Sequence, residues 1–589
     1  MLLLRDLSLQ VGNAPDELTL LTGLNLRLPK KHFVAILGPS GCGKSTLLKV
    51  IAGVSEASGG GIHWNGRDLA LEGDFEPHEI GYVPQFGIAF DLLTVRESIR
   101  AAFDLRVSAA DGESRIEGIL NGVGLEEIAD RRVRLLSGGQ RRRLALALEL
   151  VSSPRLLLCD EVTSGLDPKA EDEIVRLMHR LSQEDDRIVI SVTHSLRHLA
   201  LYDSVLVLFQ GHLAYHGSPG SLLHYFQIAH ADELYPRMAI RNAEEWHQSW
   251  QKHRDAYYRE CGIDMPDLPL MDSHEPLPAG DPFQEEIPPQ PLALPEAPSQ
   301  SDEPLKTPGA LTQFAVLFAR RWRLFLRDRG QLLLQLALLL GFPCLVVIFA
   351  LSGIPQVKAP ADGAGNVLDQ IRAQLQYNTE LLHAGGLVSG LIMFQVVLLS
   401  LMGSNNAARE IAGERLIFEK EKFAGLRPGA YIASKAAFLG MLVVAQSVWM
   451  TVFVNLIVRF PGSMLTQIVL LTLVNAALTS ICLAISSIMK SAEQASLVSV
   501  YLVGFQLPLS GAVLALPEGL SWIAQPFIAS YWGWSGFLQT LRDTRLYDAV
   551  LLVTRTDLAS IPLAIWVLLS HIVVGLFIAY TGAKSSRWE

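Results

Sequence analysis

The sequence predicts an α/β domain followed by an all-α polytopic membrane domain of six transmembrane helices. Short apolar runs alternate with helical patterns over residues 1–225, as in α/β proteins, whereas long apolar stretches begin only after residue 330. The chain has 589 residues, half of them hydrophobic, and a mean hydropathy of +0.28, which indicates several domains and a membrane portion. The predicted core strands are Phe33–Leu37, Arg155–Cys159, Ile188–Thr193 and Ser204–Phe209, and Leu3–Leu28 is predicted to form an antiparallel flank.

Charge and cysteine content exclude some classes of protein. A formal net charge of -10 argues against a dedicated nucleic-acid binder. The N-terminal run Met1–Asp6 is too short and too charged for a signal peptide, so the first half of the chain is expected in the cytosol. The cysteines lack metal-type spacing and are predicted to be free thiols. They are Cys42, Cys159, Cys261, Cys344 and Cys482.

A glycine-rich loop lies between a predicted strand and a predicted helix, Leu47–Ile51. The loop consists of Gly38, Pro39, Ser40, Gly41, Cys42, Gly43, Lys44, Ser45 and Thr46. In such a loop the backbone N–H groups and the helix N-terminus bind phosphate, Lys44 reaches the terminal phosphates and Ser45 holds Mg²⁺. A chance Gly/Ser-rich turn is the alternative, but the strand–loop–helix context disfavours it. The fold predicted for residues 1–225 is therefore an α/β P-loop NTPase.

Five further motifs follow the loop in order. They are Gln85 after Gly81–Pro84; Leu136–Gln140, in which Ser137, Gly138, Gly139 and Gln140 open an arginine-rich helix; Leu156–Glu161; Ser164–Asp167; and His194 after a strand. Asp160 is placed to hold Mg²⁺ with Ser45, and Glu161 to polarise an attacking water. We expect Gln85 to contact the metal and the water, and His194 the γ-phosphate. Each motif alone has a structural alternative, such as a helix cap, a turn or a surface histidine, but five in one domain make coincidence a poor explanation.

The second half of the chain is divided by composition. Residues 226–308 are predicted to form a helical extension and an acidic, Pro-rich linker, with a docking ligand as the alternative for the Pro-rich tract. Residues 309–330 predict an amphipathic connecting helix that lies along the membrane surface with an arginine-rich polar face. Residues 331–589 are the predicted transmembrane domain. Its six spans are placed at about 331–352, 385–404, 434–458, 465–488, 496–516 and 560–582.

Basic residues concentrate before span one, between spans two and three, and after span six. The positive-inside rule therefore places both termini in the cytosol. We expect the membrane to be the plasma (inner) membrane. The Pro/Trp-rich segment 517–545 is predicted to be a re-entrant or interfacial element on the outer side. Polar residues within the spans, such as Asn406 and Gln506, either line a translocation path or form interhelical hydrogen bonds.

Residues 1–225 resemble an ATP-binding cassette (ABC) domain. Gly38–Ser45 is similar to the Walker A motif, Gln85 to the Q-loop, Leu136–Gln140 to the signature motif, Leu156–Glu161 to Walker B, Ser164–Asp167 to the D-loop and His194 to the switch histidine. In that family two cassettes sandwich ATP between the P-loop of one and the signature motif of the other, so the resemblance implies a dimer that binds ATP and Mg²⁺. It implies three catalytic residues, Glu161, His194 and Gln85. It also implies that Asp167 and the residues from Ser137 to Gln140 contact nucleotide. One departure is that no aromatic residue for adenine stacking is found near Val11-Gly12.

A cassette ahead of six spans resembles the half-transporters of the G subfamily. The charged stretch Ala408–Lys435 is similar to the element that docks cassette to membrane domain in that group, with an ordinary basic loop as the alternative. The resemblance implies ATP-driven export of a hydrophobic or amphipathic substrate, a lipid or drug-like molecule, by a dimer of chains in a lipid membrane. The rival is ATP-driven mechanotransmission to an extracytoplasmic partner with no substrate crossing the spans. A soluble-type ATPase that acts on nucleic acid is disfavoured by the spans and the acidic balance.

Overall fold

The computed structural model describes residues 1–12, 18–85, 88–108, 111–260, 307–351, 367–513, 515–554 and 556–586. The chain divides into two compact units. The first comprises residues 1–309, 423–426 and 587–589, and the second comprises residues 310–422 and 427–586. We call them the cassette unit and the membrane unit. The predicted Pro-rich linker lies almost wholly outside the described residues, and the four-part division of the chain stays a prediction.

Two sheets organise the cassette unit. Their strands are β1 (Leu2–Val11), β2 (Leu18–Leu28), β3 (His32–Leu37), β4 (Gly59–Trp64), β5 (Arg67–Asp68), β6 (Ile80–Val83), β7 (Leu156–Asp160), β8 (Ile188–Val192), β9 (Ser204–Phe209) and β10 (His212–Gly217). The larger sheet has the order β10-β9-β3-β8-β7-β6 and is parallel except for β10. The smaller sheet, β2-β1-β4-β5, is antiparallel. The four predicted core strands and the predicted antiparallel flank are thus confirmed.

Helices cover the parallel sheet and explain its apolar strands. The helices of the cassette unit are α1 (Lys44–Ile51), α2 (Leu69–Glu72), α3 (Val95–Arg106), α4 (Gly112–Gly122), α5 (Gly138–Leu150), α6 (Pro168–Gln183), α7 (Pro219–Phe226), α8 (Leu234–Met238) and α9 (Ala243–Glu260). Every residue of β3, β7 and β8 is buried, as expected of parallel strands packed on both faces. Because parallel strands end at one edge, the segments that follow β3, β6, β7 and β8 meet there.

An aromatic cluster holds α9 against the sheet. Trp250 packs edge-to-face on Tyr215 of β10 and on Tyr258, with ring centroids 5.4 and 5.5 Å apart. The helix predicted within residues 226–260 is therefore present, and it packs on the cassette unit as expected.

The regular elements of the second unit are all helices within the described residues. Its helices are α10 (Ala310–Arg327), α11 (Arg329–Ile348), α12 (Val367–Ala407), α13 (Arg415–Phe423, whose last residue belongs to the cassette unit), α14 (Pro428–Val458), α15 (Met464–Ile488), α16 (Ala492–Leu509), α17 (Glu518–Ala524), α18 (Ala529–Gln539), α19 (Arg545–Val553) and α20 (Ile561–Ser585). Among the described residues, five helical stretches are long and apolar enough to cross a membrane. They are Arg329–Ile348, Gln370–Phe423, Pro428–Val458, Met464–Ile488 and Ile561–Ser585.

The predicted span at 496–516 is not among these five. It coincides with α16, which has only 18 residues and contains Glu493, Gln494 and Gln506. A count of six spans therefore stays a prediction. In contrast, α12 is much longer than the predicted span 385–404, since it runs over 41 residues.

Segment 517–545, which is predicted to be interfacial, contains an exposed helix and a buried helix. Trp522 of α17 is 86% exposed, as expected of an interfacial residue. In α18, however, Trp532 and Trp534 are buried, and the indole nitrogen of Trp534 lies 3.3 Å from the Ser389 hydroxyl of α12. Helix α18 is therefore part of the packed core of the membrane unit.

Candidate functional site

The glycine-rich loop wraps around its own lysine. Lys44, the first residue of α1, is buried, and its Nζ donates hydrogen bonds to the carbonyl oxygens of Gly38 at 2.8 Å and Pro39 at 2.9 Å. A Cβ on Gly38 would lie 2.3 Å from the Leu208 carbonyl oxygen, so only glycine fits there. Gly43 has φ +102°, a backbone conformation that glycine adopts most easily. The loop thus brings an ammonium group and a helix N-terminus to the sheet edge, as a phosphate site requires.

Asp160, at the end of β7, binds two hydroxyl groups. Ser45 Oγ donates to Oδ1 at 2.8 Å, and the Tyr82 hydroxyl donates to Oδ2 at 3.1 Å. Burial raises the pKa of Asp160, although both hydrogen bonds oppose that shift by stabilising the carboxylate. The predicted pairing of Ser45 with Asp160 is therefore present.

These donors fit Mg²⁺. A carboxylate and a hydroxyl oxygen are the hard ligands that Mg²⁺ takes from proteins, together with phosphate oxygens and water. Within the described ranges, no group of three or more His, Cys, Asp or Glu side chains could hold a metal ion. A metal at this edge would thus depend on Ser45, Asp160 and a bound phosphate rather than on a complete protein cage.

Glu161 lies between Gln85 and His194. Its Oε2 accepts a hydrogen bond from Gln85 Nε2 at 2.7 Å, and its Oε1 lies 2.9 Å from His194 Nε2. The backbone of Glu161 has φ +46°, a left-handed conformation that is uncommon for a residue with a side chain. Of the three residues predicted to be catalytic, Gln85 and His194 therefore both contact Glu161. The amide nitrogen of Gln85 contacts Glu161 rather than Asp160, and its assignment to the metal stays a prediction.

The signature-like motif forms a helix cap. Ser137 Oγ accepts from the Gln140 backbone at 3.3 Å, and the Gln140 side chain accepts from the Ser137 backbone at 3.0 Å, which closes a capping box at the start of α5. Asp167 caps α6 in a similar way, because its Oδ1 accepts from the backbone of Lys169 at 3.1 Å and of Ala170 at 3.0 Å. These hydrogen bonds do not test whether the residues contact nucleotide. That stays a prediction for Ser137, Gly138, Gly139, Gln140 and Asp167.

Tyr82 is the residue of this site that the sequence did not reveal. It lies in β6, which pairs with β7 in parallel register, and its hydroxyl reaches Asp160 across that pair. Burial raises the pKa of Tyr82 above its ordinary value, so it stays a hydrogen-bond donor. The sequence did offer one signal for it. An aromatic residue stands in the run Gly81–Pro84, whose strand neighbours the strand that ends in the carboxylates.

A second polar cluster lies within the membrane unit. Glu410 binds Arg321 Nε at 2.5 Å and Lys435 Nζ at 3.0 Å, and all three side chains are largely buried. Lys435 also binds Glu414, and Arg320 binds Glu421. Arg320 and Arg321 belong to the arginine-rich polar face predicted for α10, but both lie in this buried charged cluster. Carboxylates of the following segments neutralise them.

Comparison with known proteins identifies relatives of both units. Residues 21–164 match the family model described as ABC transporter, and residues 312–541 match the model described as ABC-2 type transporter. The ABC transporter ATP-binding/permease protein Rv1747 of Mycobacterium tuberculosis is 29% identical over 97% of this chain, and the match spans 61% of that relative. The sulfate/thiosulfate import ATP-binding protein CysA of Pectobacterium atrosepticum is 33% identical over 38% of this chain and 68% of its own length.

Among solved structures, the dimeric ATP-binding cassette MJ0796, in a post-hydrolysis state with ADP and Pi, is 27% identical to this chain. The match covers 37% of this chain and 99% of that one, with a TM-score of 0.34.

Proposed function

Because the chain belongs to the ABC transporter family, with a cassette ahead of an ABC-2-type membrane domain, we propose that it uses ATP hydrolysis to export a hydrophobic or amphipathic substrate. The observation that carries this proposal is the contact of Glu161 with both Gln85 and His194, beside Asp160 and its bond to Ser45. That arrangement combines a base, its orienting groups and a metal-ligand pair at the end of a phosphate loop.

Nucleotide binding is assigned to the phosphate loop. The backbone N–H groups of Gly41–Thr46 and the ammonium of Lys44 would bind the β- and γ-phosphates. Ser45 and Asp160 would hold Mg²⁺, which supplies positive charge to the phosphate oxygens. Lys44 would exchange its bonds to the Gly38 and Pro39 carbonyls for phosphate oxygens without leaving the loop.

Hydrolysis is assigned to Glu161. Its carboxylate would accept a proton from the attacking water, while Gln85 orients the water and His194 binds the γ-phosphate. The hydrogen bonds from Gln85 and His194 fix the carboxylate, which aligns it for proton transfer.

The remaining nucleotide contacts are assigned to a second copy of this chain. The N-terminus of α5, with Ser137, Gly138, Gly139 and Gln140, would bind the ATP held by the phosphate loop of that copy, and Asp167 would lie at the interface. The transporter would be a dimer with both termini in the cytosol, and the charged segment Ala408–Lys435 would transmit cassette closure to the spans. The chain would lie in the plasma (inner) membrane, with the basic residues that flank the spans on its cytosolic side.

The test is ATPase activity of the full chain in proteoliposomes with a panel of lipids and amphipathic compounds. We expect one class to stimulate turnover and to accumulate on the side opposite the cassettes. The matched control is Glu161→Gln, which should bind ATP and show neither effect. Basal turnover that no member of the panel changes, with no accumulation, would contradict the transport function.

The length of α12 favours a second candidate function. Its 41 residues span about 62 Å, whereas a hydrocarbon core is about 30 Å thick, so roughly half of the helix would lie outside the bilayer. A continuous helix of this kind could transmit motion to an extracytoplasmic partner. Leu375→Glu, at an exposed position of the extension, should leave lipid-stimulated turnover unchanged if the chain is a transporter. It should abolish the partner's response if the chain is a mechanotransmitter.

A further inference from the structure

Three buried amide side chains close a hydrogen-bonded ring between α11, α12 and α14. Gln335 Nε2 donates to Asn406 Oδ1 at 2.6 Å, Asn406 Nδ2 donates to Gln446 Oε1 at 3.0 Å, and Gln446 Nε2 donates to Gln335 Oε1 at 3.0 Å. None of the three residues is more than 8% exposed. We call this the amide ring. Each member donates once and accepts once, so the loss of any member breaks two of the three bonds.

The surroundings of the amide ring make it costly to open. It joins three of the helical stretches that are long and apolar enough to cross a membrane. Because the three amides are buried within the helix packing, helices that separate at the ring leave polar groups without partners in an apolar interior. Separation of α11, α12 and α14 at this level is therefore disfavoured, whereas a shift of the three together costs none of these bonds.

A second connection lies further along the same helices. Glu410, just after the end of α12, binds Lys435 of α14 at 3.0 Å. Lys435 and Gln446 lie on one face of α14, three helical turns or about 16 Å apart. The end of α12 is thus fastened to α14 at two separate levels. A single contact would act as a pivot, but two contacts on one face resist both sliding and swinging.

We propose that the amide ring, together with the Glu410–Lys435 pair, makes α11, α12 and α14 one rigid body that shifts as a unit when the cassettes bind ATP. In this proposal Gln335, Asn406 and Gln446 are positioning residues, and their contribution is to coupling rather than to folding. The inference rests on the proposed transport cycle, which supplies the motion.

The experiment measures distances between the two copies by pulsed electron resonance, with one spin label per chain in lipid nanodiscs. The native Cys344 labels α11, because it is exposed, and Leu401→Cys and Met441→Cys label α12 and α14 in variants that carry Cys344→Ser. Cys261 is replaced by serine throughout. Each variant also carries Glu161→Gln, and distances are compared with and without MgATP.

With the amide ring intact, we expect the three distances to change together. With Asn406→Leu, the change at α14 should fall to less than half of the change at α12. Gln331→Leu is the matched control, since Gln331 lies one turn from Gln335 on α11, and it should leave all three changes as they were. If Asn406→Leu does not fold, the triple variant Gln335→Leu, Asn406→Leu and Gln446→Leu replaces it, because no unpaired amide remains there.

The possible outcomes distinguish a failure of this inference from a failure of the proposed transport function. Distance changes in the ring variants that match those of the intact ring overturn the proposal while leaving the transport cycle intact. Three changes with the ring intact that no single movement of the three helices as one body reproduces also overturn it. An intact-ring protein that binds ATP but shows no distance change, or no distance between copies at all, contradicts the transport cycle and the inference that rests on it.

Discussion

His194 Nε2 lies 2.9 Å from Oε1 of Glu161, whose second oxygen accepts a hydrogen bond from Gln85 at 2.7 Å. Two side chains from different loops thus hold one carboxylate from both sides. The Glu161 backbone is itself in the left-handed region, so packing and hydrogen bonds together fix the orientation of its side chain. The catalytic rate that a positioned base supports depends on this fixed orientation more than the affinity for nucleotide does.

The first prediction concerns His194→Ala. It removes one of the two groups that hold Glu161, so we expect kcat for ATP hydrolysis to fall by roughly 10- to 100-fold. This is less than the roughly 100- to 10,000-fold contribution of general acid–base catalysis, because the base itself remains. The affinity for ATP should change much less, because the phosphate loop is untouched. Equilibrium binding of ATP and steady-state hydrolysis on the same preparation measure the two quantities. His198→Ala is the control, since His198 lies near Asp172 instead, and equal losses of binding and turnover in His194→Ala would contradict this role.

The second prediction concerns Tyr82→Phe. The Tyr82 hydroxyl stabilises the charged form of Asp160, and burial already raises the pKa of that carboxyl, so its removal should raise the pKa further. A metal ligand must be deprotonated, so the acid limb of the ATPase profile should shift to higher pH, by up to about one unit for one hydrogen bond. Activity against pH at two Mg²⁺ concentrations measures this shift, and more Mg²⁺ should reduce it. Tyr258→Phe, whose hydroxyl lies 3.2 Å from His216, should not move the profile. An unchanged acid limb in Tyr82→Phe would show that its hydroxyl does not tune Asp160.

Local sequence was enough to predict the parts of the site that depend on strand ends. The phosphate loop, Asp160, Glu161 and His194 each follow an apolar run, and parallel strands bring such positions to one edge of the sheet. The role of Tyr82 could not be predicted, because its hydroxyl reaches across to the neighbouring strand. No local sequence pattern encodes that contact.

The membrane unit was harder to predict for the same reason. Apolar length located five helical stretches, but it did not reveal that α12 continues well beyond its predicted span. The arginines of α10 fit an amphipathic pattern, yet Arg320 and Arg321 are held by carboxylates about 90 to 100 residues away along the chain. Likewise Asn406 was open to two interpretations, and only the partners from α11 and α14 show that it bonds between helices.

The third prediction concerns the charged cluster of the membrane unit. Glu410→Gln leaves Arg321 and Lys435 buried without their shared carboxylate, and loss of one member of a buried ion pair costs about 3–5 kcal/mol. We expect a lower thermal midpoint for the chain in detergent. The double variant Glu410→Gln with Arg321→Gln should recover part of this loss, because it removes the buried cation that Glu410 neutralised, whereas Lys435 keeps Glu414. Glu493→Gln, an exposed position in the first turn of α16, is the control. A Glu410→Gln protein as stable as the parent would mean that water reaches the cluster.

The last prediction concerns acid stability of the cassette unit. Burial lowers the pKa of His216 to about 3 from an ordinary value of 6.5, and His32 adds to the effect. The unfolded chain therefore binds a proton that the folded chain excludes, so stability is unaffected above pH 6.5 and falls as the pH drops from 6.5 towards 3. The slope is about 1.4 kcal/mol per pH unit, or about 2 kcal/mol by pH 5. His216→Gln should weaken this dependence in unfolding measured from pH 7.5 to 5, whatever its stability at pH 7.5. Part of the dependence should remain, because burial also lowers the pKa of His32 and of His212. The exposed His230→Gln should keep it, and a parent protein equally stable at both pH values would contradict a neutral, buried His216.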